Sequence, residues 1–107
     1  MRKLDLVIPC FNEQESLPLF FEALKDVKDK MNDVSVRFIF VNDGSRDRTR
    51  EVVEKAIEKD SRVTLINLAR NFGKEAAMTA GLAHARGDAV VPMDVDLQDP
   101  PALVLEF

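Results

Sequence analysis

Three residues whose side-chain oxygen atoms could bind a metal ion occupy every second position near the end of the 107-residue chain: Asp94, Asp96 and Gln98. In extended backbone, residues two apart point to the same side, so these three side chains can converge on one point. Two carboxylates and an amide oxygen suit Mg²⁺ or Mn²⁺ and leave coordination positions for phosphate oxygens. We therefore predict a divalent-metal site at these residues. The alternative is an Asp-x-Asp pair that only ends a strand and shapes a turn.

Polar residues also follow three earlier apolar stretches of the chain, in segments 9–13, 42–45 and 70–74. Asp43 can accept a hydrogen bond from a nucleobase or a sugar, and we predict that it recognises a base and does not bind the metal. Turn chemistry at Asp43-Gly44 is the alternative. Glu13 either contacts a ligand or caps the first helix. Lys74 stands at a helix start, where the dipole disfavours a cation, so contact with an anionic ligand and simple solvation both stay open.

The elements that must position these residues are four short apolar runs, at 4–8, 36–41, 63–68 and 89–93. Such runs, rich in Val, Ile, Leu and Phe, are typical of strands that are buried on both faces of a sheet. Right-handed crossovers through intervening helices then predict an α/β domain over residues 1–107, with a parallel sheet covered by helices on both faces. Ligands of such sheets bind beyond the carboxyl ends of the strands, where the polar segments lie.

Helices are predicted between these strands. One apolar face recurs at helical spacing in Leu17, Phe21, Leu24, Val27 and Met31, after a start signal at Ser16 and Pro18. A second helix follows Asp47 as its N-cap. A third, rich in Ala and Gly, spans about 74–85 with Gly87 as its stop. Asp99, followed by two prolines, predicts the N-cap of a fourth helix.

Composition excludes several classes of protein. The chain is 46% hydrophobic and carries a net charge of −4, which disfavours both disorder and nucleic-acid binding. No apolar run approaches the ~18 residues of a membrane span. The single cysteine, Cys10, excludes an internal disulfide and predicts a packed free thiol. Glycine signatures of dinucleotide oxidoreductases and P-loop enzymes are absent, and no acidic pair of the response-regulator kind follows the first strand.

The polar segments together resemble the nucleotide-sugar domain of family 2 glycosyltransferases. The matching motifs are VIPCFNE at 7–13, VNDGS at 41–45 with Asp47 and Thr49, and DVD at 94–96. The sequences RNFGKE at 70–75 and DVDLQDP at 94–100 look like the polyprenyl-phosphate branch of that family, which includes bactoprenol glucosyltransferases. The resemblance covers essentially the whole chain in the same order.

The resemblance implies a GT-A fold, of which residues 1–107 form the N-terminal, nucleotide-sugar-binding part. The implied nucleotide-binding residues are Pro9, Phe11, Glu13, Asp43, Asn71, Lys74, Asp94 and Val95. The implied ligands of Mg²⁺ or Mn²⁺ are Asp94, Asp96 and Gln98, and Asp96 is the implied catalytic residue. Relatives often have Tyr where this chain has Phe11, a change that keeps a stacking ring but loses a hydroxyl contact.

The resemblance also implies an activity, namely transfer of a sugar from a UDP- or GDP-sugar donor to a polyprenyl phosphate with inversion. The motifs similar to bactoprenol glucosyltransferases favour UDP-glucose as that donor. We expect the full-length protein to lie at the cytoplasmic face of a membrane, with membrane helices beyond residue 107, and to form a homo-oligomer. The 107 residues themselves are expected to be soluble and to transfer no sugar alone. The alternatives are a non-catalytic nucleotide-binding module and a family 2 enzyme that acts on a saccharide acceptor.

Overall fold

The computed structural model describes residues 2–30, 34–93 and 95. Strands and helices alternate through them as β1 (Arg2–Cys10), α1 (Leu17–Lys30), β2 (Val34–Asn42), α2 (Thr49–Lys59), β3 (Val63–Asn67), α3 (Lys74–His84) and β4 (Ala89–Pro92). This order confirms the predicted alternation. The predicted fourth helix, opening at Asp99, lies outside the described residues.

The four strands form one parallel sheet in the order β3-β2-β1-β4. β1 pairs with β2 over its whole length, from Arg2 opposite Val34 to Cys10 opposite Asn42. β4 pairs with the other side of β1. Since parallel strands share one direction, the carboxyl ends of all four lie at the same edge of the sheet. The predicted parallel α/β architecture is therefore confirmed.

Helices α1 and α2 cover one face of the sheet and enclose the larger core. The apolar face of α1 is wider than the predicted one, because Phe20 is fully buried while the predicted Phe21 is only partly buried. The Phe20 ring meets the Phe40 ring edge-on at a centroid distance of 6.2 Å, and Phe21 lies 5.2 Å from the same ring. A core-facing helix commonly buries a stripe of this width.

Helix α3 covers the opposite face, where it packs against β1 and β2. A Cβ atom on Gly81 would lie 2.3 Å from Cγ1 of Val7, so only glycine allows this approach. This finding confirms that the Ala- and Gly-rich sequence brings the helix close to the sheet. α3 ends at His84, three residues before the predicted stop at Gly87. Gly87 serves a different close contact, since an added Cβ would meet the carbonyl oxygen of Lys3 at 2.9 Å.

Within the described ranges, none of the three helices has the length and hydrophobicity that crossing a bilayer requires.

Candidate functional site

Three loops leave the carboxyl edge of the sheet side by side. They are residues 11–16 after β1, 43–48 after β2 and 68–73 after β3. Because β2 lies between β1 and β3, its loop can contact both of the others. These three loops, with the end of β4, are called the rim.

The β1–α1 and β2–α2 loops are joined by main-chain to side-chain hydrogen bonds. The Asn12 N–H donates to Oγ of Ser45 at 2.9 Å, and the Arg46 N–H donates to Oδ1 of Asn12 at 2.8 Å. Asn12 has a φ of 53°, a left-handed conformation that asparagine tolerates better than most residues. The Glu13 N–H donates to Oγ1 of the buried Thr49 at 2.8 Å. The two loops therefore hold one another in place.

Asp47 adds a further link between the same two loops. Its carboxylate accepts the N–H of Thr49 at 2.9 Å and the N–H of Gln14 at 3.1 Å. α2 begins at Thr49, so the N-cap position falls on Arg48 and the prediction of Asp47 as N-cap is off by one residue. Burial alone would raise the pKa of Asp47, but the hydrogen bonds from Thr49 and Gln14 outweigh it and lower the pKa.

Asp43 joins the β2–α2 loop to the β3–α3 loop. Its side chain is buried, with Oδ1 accepting the Phe72 N–H at 2.8 Å and Oδ2 accepting the Gly73 N–H at 3.0 Å. The side-chain amide of Asn71 donates to Oδ2 at 3.3 Å and to the Asp43 carbonyl at 3.2 Å. The Asp43 N–H donates to the Cys10 carbonyl at 2.8 Å. One residue thus ties the ends of β1 and β2 to the start of α3.

Gly44 allows the same two loops to touch through their backbones. Its φ is +68°, and an added Cβ would lie 2.3 Å from both the carbonyl carbon of Arg70 and the amide nitrogen of Asn71. Asn42, at the end of β2, donates through Nδ2 to Oδ1 of Asn67 at 3.0 Å. The three loops of the rim are therefore joined to one another by hydrogen bonds and close backbone contact within the protein.

Two large aromatic rings are exposed on this rim. Phe11 in the β1–α1 loop is 44% exposed and Phe72 in the β3–α3 loop is 49% exposed. The guanidinium of Arg70 lies over the Phe72 ring, 4.7 Å from its centroid. Exposed rings of this kind can stack on a planar ligand. The sequence predicted Phe11 as a site residue but not Phe72, although Phe72 is an aromatic residue within the polar segment 70–74.

The other predicted nucleotide-binding residues occupy different positions on or below the rim. Pro9 is buried in β1 and lies after the residues of β1 that pair with β4. Because proline has no N–H, this position costs the sheet no hydrogen bond between β1 and β4. Glu13 is half-buried. Asn71 is exposed and bound to Asp43, and Lys74 is exposed as the first residue of α3.

The predicted metal ligands Asp94, Asp96 and Gln98 lie outside the described residues. Within the described part of the chain, no three His, Cys, Asp or Glu side chains gather closely enough to hold a metal ion. Val95, which the sequence assigned to nucleotide binding, buries its side chain in the larger core.

The fold is the GT-A fold of glycosyltransferases. A mannosyltransferase from Pyrobaculum calidifontis, solved with GDP-Man and Mn²⁺, superposes with a TM-score of 0.73 at 27% identity, over 89% of this chain and 28% of its own. The S. aureus protein TarS, residues 1–349, solved with UDP, superposes with a TM-score of 0.74 at 23% identity, over 97% of this chain and 32% of its own. The second likeness concerns the fold alone.

The chain belongs to glycosyl transferase family 2, which its residues 5–107 match. A prophage bactoprenol glucosyl transferase homolog of Escherichia coli (strain K12) is 44% identical over 98 residues, which are 92% of this chain and 32% of that protein. The chain thus spans about a third of the length of the curated relatives it matches.

Proposed function

We propose that this chain forms the donor-binding part of a glycosyltransferase that transfers glucose from UDP-glucose to a polyprenyl phosphate. The observation that carries the proposal is the rim at the carboxyl edge of the sheet, whose loops are joined by hydrogen bonds and from which the rings of Phe11 and Phe72 protrude. In the sequence, Asp94-Val95-Asp96 comes shortly after β4, whose carboxyl end lies at the same edge. Nucleotide ligands of parallel α/β sheets bind at this edge.

The choice of sugar and acceptor rests on the relatives. The Escherichia coli protein that is 44% identical is named for glucosyl transfer to bactoprenol, a polyprenyl carrier. The more distant mannosyltransferase was solved with GDP-Man, so GDP is the nucleotide against which UDP has to be compared.

On this rim the chain's own residues would bind and orient the donor. The exposed ring of Phe11 would stack on the base, while Pro9, Glu13 and Asn71 would line the nucleotide. Lys74, exposed at the start of α3, would face the diphosphate. Because the loops are held by hydrogen bonds before the donor arrives, less conformational entropy is lost on binding.

Asp94, Asp96 and Gln98 would hold Mg²⁺ or Mn²⁺, since two carboxylates and an amide supply only hard oxygen ligands. When bound, a divalent cation would stabilise the negative charge on the departing nucleoside diphosphate. Among these ligands Asp96 is the residue we assign to catalysis.

The acceptor phosphate is already anionic at neutral pH, so it needs little help from a general base. In the inverting reaction, one of its oxygens bonds to the anomeric carbon from the face opposite the diphosphate. The bond between that carbon and the diphosphate oxygen breaks, and the electron pair leaves with UDP. The whole protein would perform this step at the cytoplasmic face of the membrane that holds the lipid.

Calorimetric titration of the chain with UDP and GDP, first with Mn²⁺ and then with EDTA, tests the donor site. We expect UDP to bind more tightly than GDP, and only with the metal. Asp96→Ala should weaken the metal-dependent binding of UDP, whereas Asp99→Ala, at the predicted helix N-cap, should cost about 1 kcal/mol of stability and leave that binding unchanged. Equal UDP affinity in Mn²⁺ and EDTA would exclude the metal role, and absence of binding to either nucleotide would exclude the donor site.

Membranes that contain the protein carrying this chain, supplied with radiolabelled UDP-glucose and undecaprenyl phosphate, test the transfer. The expected product is a radiolabelled glucosyl lipid that the Asp96→Ala protein does not make. Transfer to saccharide acceptors alone would exclude the polyprenyl acceptor. Nucleotide binding without transfer to any acceptor would instead identify a non-catalytic binding module.

A further inference from the structure

We propose that Asp43 is a positioning residue that sets the conformation of the β3–α3 loop, residues 68–73, and acts on nucleotide affinity through that loop. The inference rests on the proposed function, because it concerns the same site. Direct recognition of the base by Asp43 is the competing role, and the two make different predictions.

Most of the hydrogen-bonding capacity of the Asp43 carboxylate is already used inside the protein. A carboxylate offers about four lone-pair positions, and three of them accept bonds from Phe72, Gly73 and Asn71. The residue is only 3% exposed. Charge-assisted hydrogen bonds in such a buried place are among the strongest that a protein makes. Asp43 therefore holds the loop through bonds that lie entirely within the protein.

The two main-chain donors lie at the start of a helix. Gly73 is the N-cap residue of α3, with a φ of 103°, and Phe72 precedes it. A carboxylate at a helix N-terminus is favoured by the helix dipole. Because Asp43 occupies these two N–H groups, a phosphate of the donor has to meet the side chains that the loop carries.

Those side chains stand together on the loop and at its junction with α3. The guanidinium of Arg70 is stacked on the exposed ring of Phe72, and Lys74 follows directly as the first residue of α3. The backbone of the loop touches Gly44 so closely that a single methyl group would not fit. A displacement at Asp43 would therefore shift an aromatic ring and two cations together.

Asparagine at this position cannot reproduce the clamp. It keeps one acceptor oxygen, but its NH₂ group would face the N–H of either Phe72 or Gly73, whichever way the amide is turned. The loop would then spend part of its time in other conformations. The apparent affinity for nucleotide falls in proportion to the fraction of molecules whose loop is in the binding conformation. If that fraction is about a tenth, binding weakens about tenfold.

Amide hydrogen exchange at Phe72 and Gly73, measured without nucleotide, tests the clamp itself. We expect protection in the wild type and its loss, by about tenfold or more, in Asp43→Asn, while the exposed control Asp26→Asn changes neither amide. If Asp43→Asn does not fold, as judged by circular dichroism, Asn71→Ala takes its place, with amide exchange as its only readout. It should reduce the protection by a smaller factor. Unchanged protection in the folded variant would overturn the proposal.

Titration with UDP, GDP and inorganic pyrophosphate, all with saturating Mn²⁺, separates positioning from base contact. Positioning predicts that Asp43→Asn weakens all three by the same factor, since the loop also carries the cations that meet phosphate. Weaker nucleotide binding with unchanged pyrophosphate binding would overturn the proposal and support direct base recognition. A wild-type chain that binds none of the three would instead overturn the proposed function itself.

Discussion

The carboxylate of Asp5 accepts two hydrogen bonds from the guanidinium of Arg37, its register partner on the neighbouring strand, at 2.9 and 3.3 Å. Its Oδ2 also accepts the N–H groups of Arg86 and Gly87, at 2.6 and 2.9 Å. Arg37 in turn donates to the His84 carbonyl at 3.0 Å. These contacts join β1, β2 and the α3–β4 loop at the amino edge of the sheet, opposite the rim.

Asp5 should make the stability of the chain sensitive to acid. Burial alone would raise its pKa, but the hydrogen bonds from Arg37, Arg86 and Gly87 outweigh it and lower the pKa. A lowered pKa gives stability that is fully present above the ordinary aspartate value of about 3.9 and is lost as pH falls through the folded value. Urea denaturation at a series of pH values should show this loss.

Asp5→Asn is the matching substitution. The amide keeps one acceptor oxygen for four donors, while Arg37 stays partly solvated with its side chain 38% exposed. We therefore expect a loss of about 2 kcal/mol in the free energy of unfolding near neutral pH, and a weaker acid dependence. Asp26→Asn, at an exposed position on α1, is the control and should change stability by less than about 0.5 kcal/mol. Equal effects of the two substitutions would contradict the role of Asp5.

Gly44→Ala and Gly73→Ala form a matched pair that separates backbone strain from close approach. Both glycines have positive φ, but only a Cβ on Gly44 would collide with the β3–α3 loop; on Gly73 it meets nothing within 4 Å. Each substitution should cost about 1–3 kcal/mol of strain. Both should lower amide protection at Phe72, because Gly73 adjoins it and also donates to Asp43, but Gly44→Ala should lower it further through its collision with the loop. Equal protection in the two variants would show that the loops are not in close contact.

Cys10 should be unreactive in the folded protein. Its thiol is buried, donates to the Ile8 carbonyl at 3.5 Å, and has its pKa raised by burial and by the charge of Glu13. Since the thiolate is the nucleophile, alkylation by iodoacetamide should be far slower than for the chain in urea. A raised pKa gives stability that is present below the unfolded thiol's pKa of about 8.5 and is lost as pH rises above it. Similar alkylation rates with and without urea would contradict this assignment.

Phe11→Ala should reduce the binding free energy of UDP by about 1–3 kcal/mol, the energy of stacking one base on an aromatic ring. The reason is that the Phe11 ring is exposed on the rim, where a base can stack on it. Phe11→Tyr should retain most of the affinity, since the stacking face is kept. Leu19→Ala, which removes an exposed apolar side chain from α1, is the control and should leave binding unchanged. Calorimetry with the three variants checks this, and equal losses for Phe11→Ala and Leu19→Ala would remove Phe11 from the site.

The fold was largely predictable from the sequence. Buried parallel strands and amphipathic helices both leave local patterns of apolar residues, and these patterns marked all four strands and the three described helices. Errors were confined to element ends and single side chains. The N-cap of α2 is Arg48 and not Asp47, whose carboxylate accepts the N–H of Thr49 from the position before the N-cap. Phe20 is part of the core because the buried face of α1 is wider than a single row of residues.

The sequence by itself also determined that polar segments would gather at one edge, because the carboxyl ends of parallel strands must share it. It did not determine how those polar groups would use their hydrogen bonds. Asp43 binds an N–H that is 29 positions away, and Asp5 binds one that is 82 positions away. Partners so distant in the chain leave no local pattern, because they meet only after the strands have paired. The tertiary structure alone therefore decided that both carboxylates hold loops together.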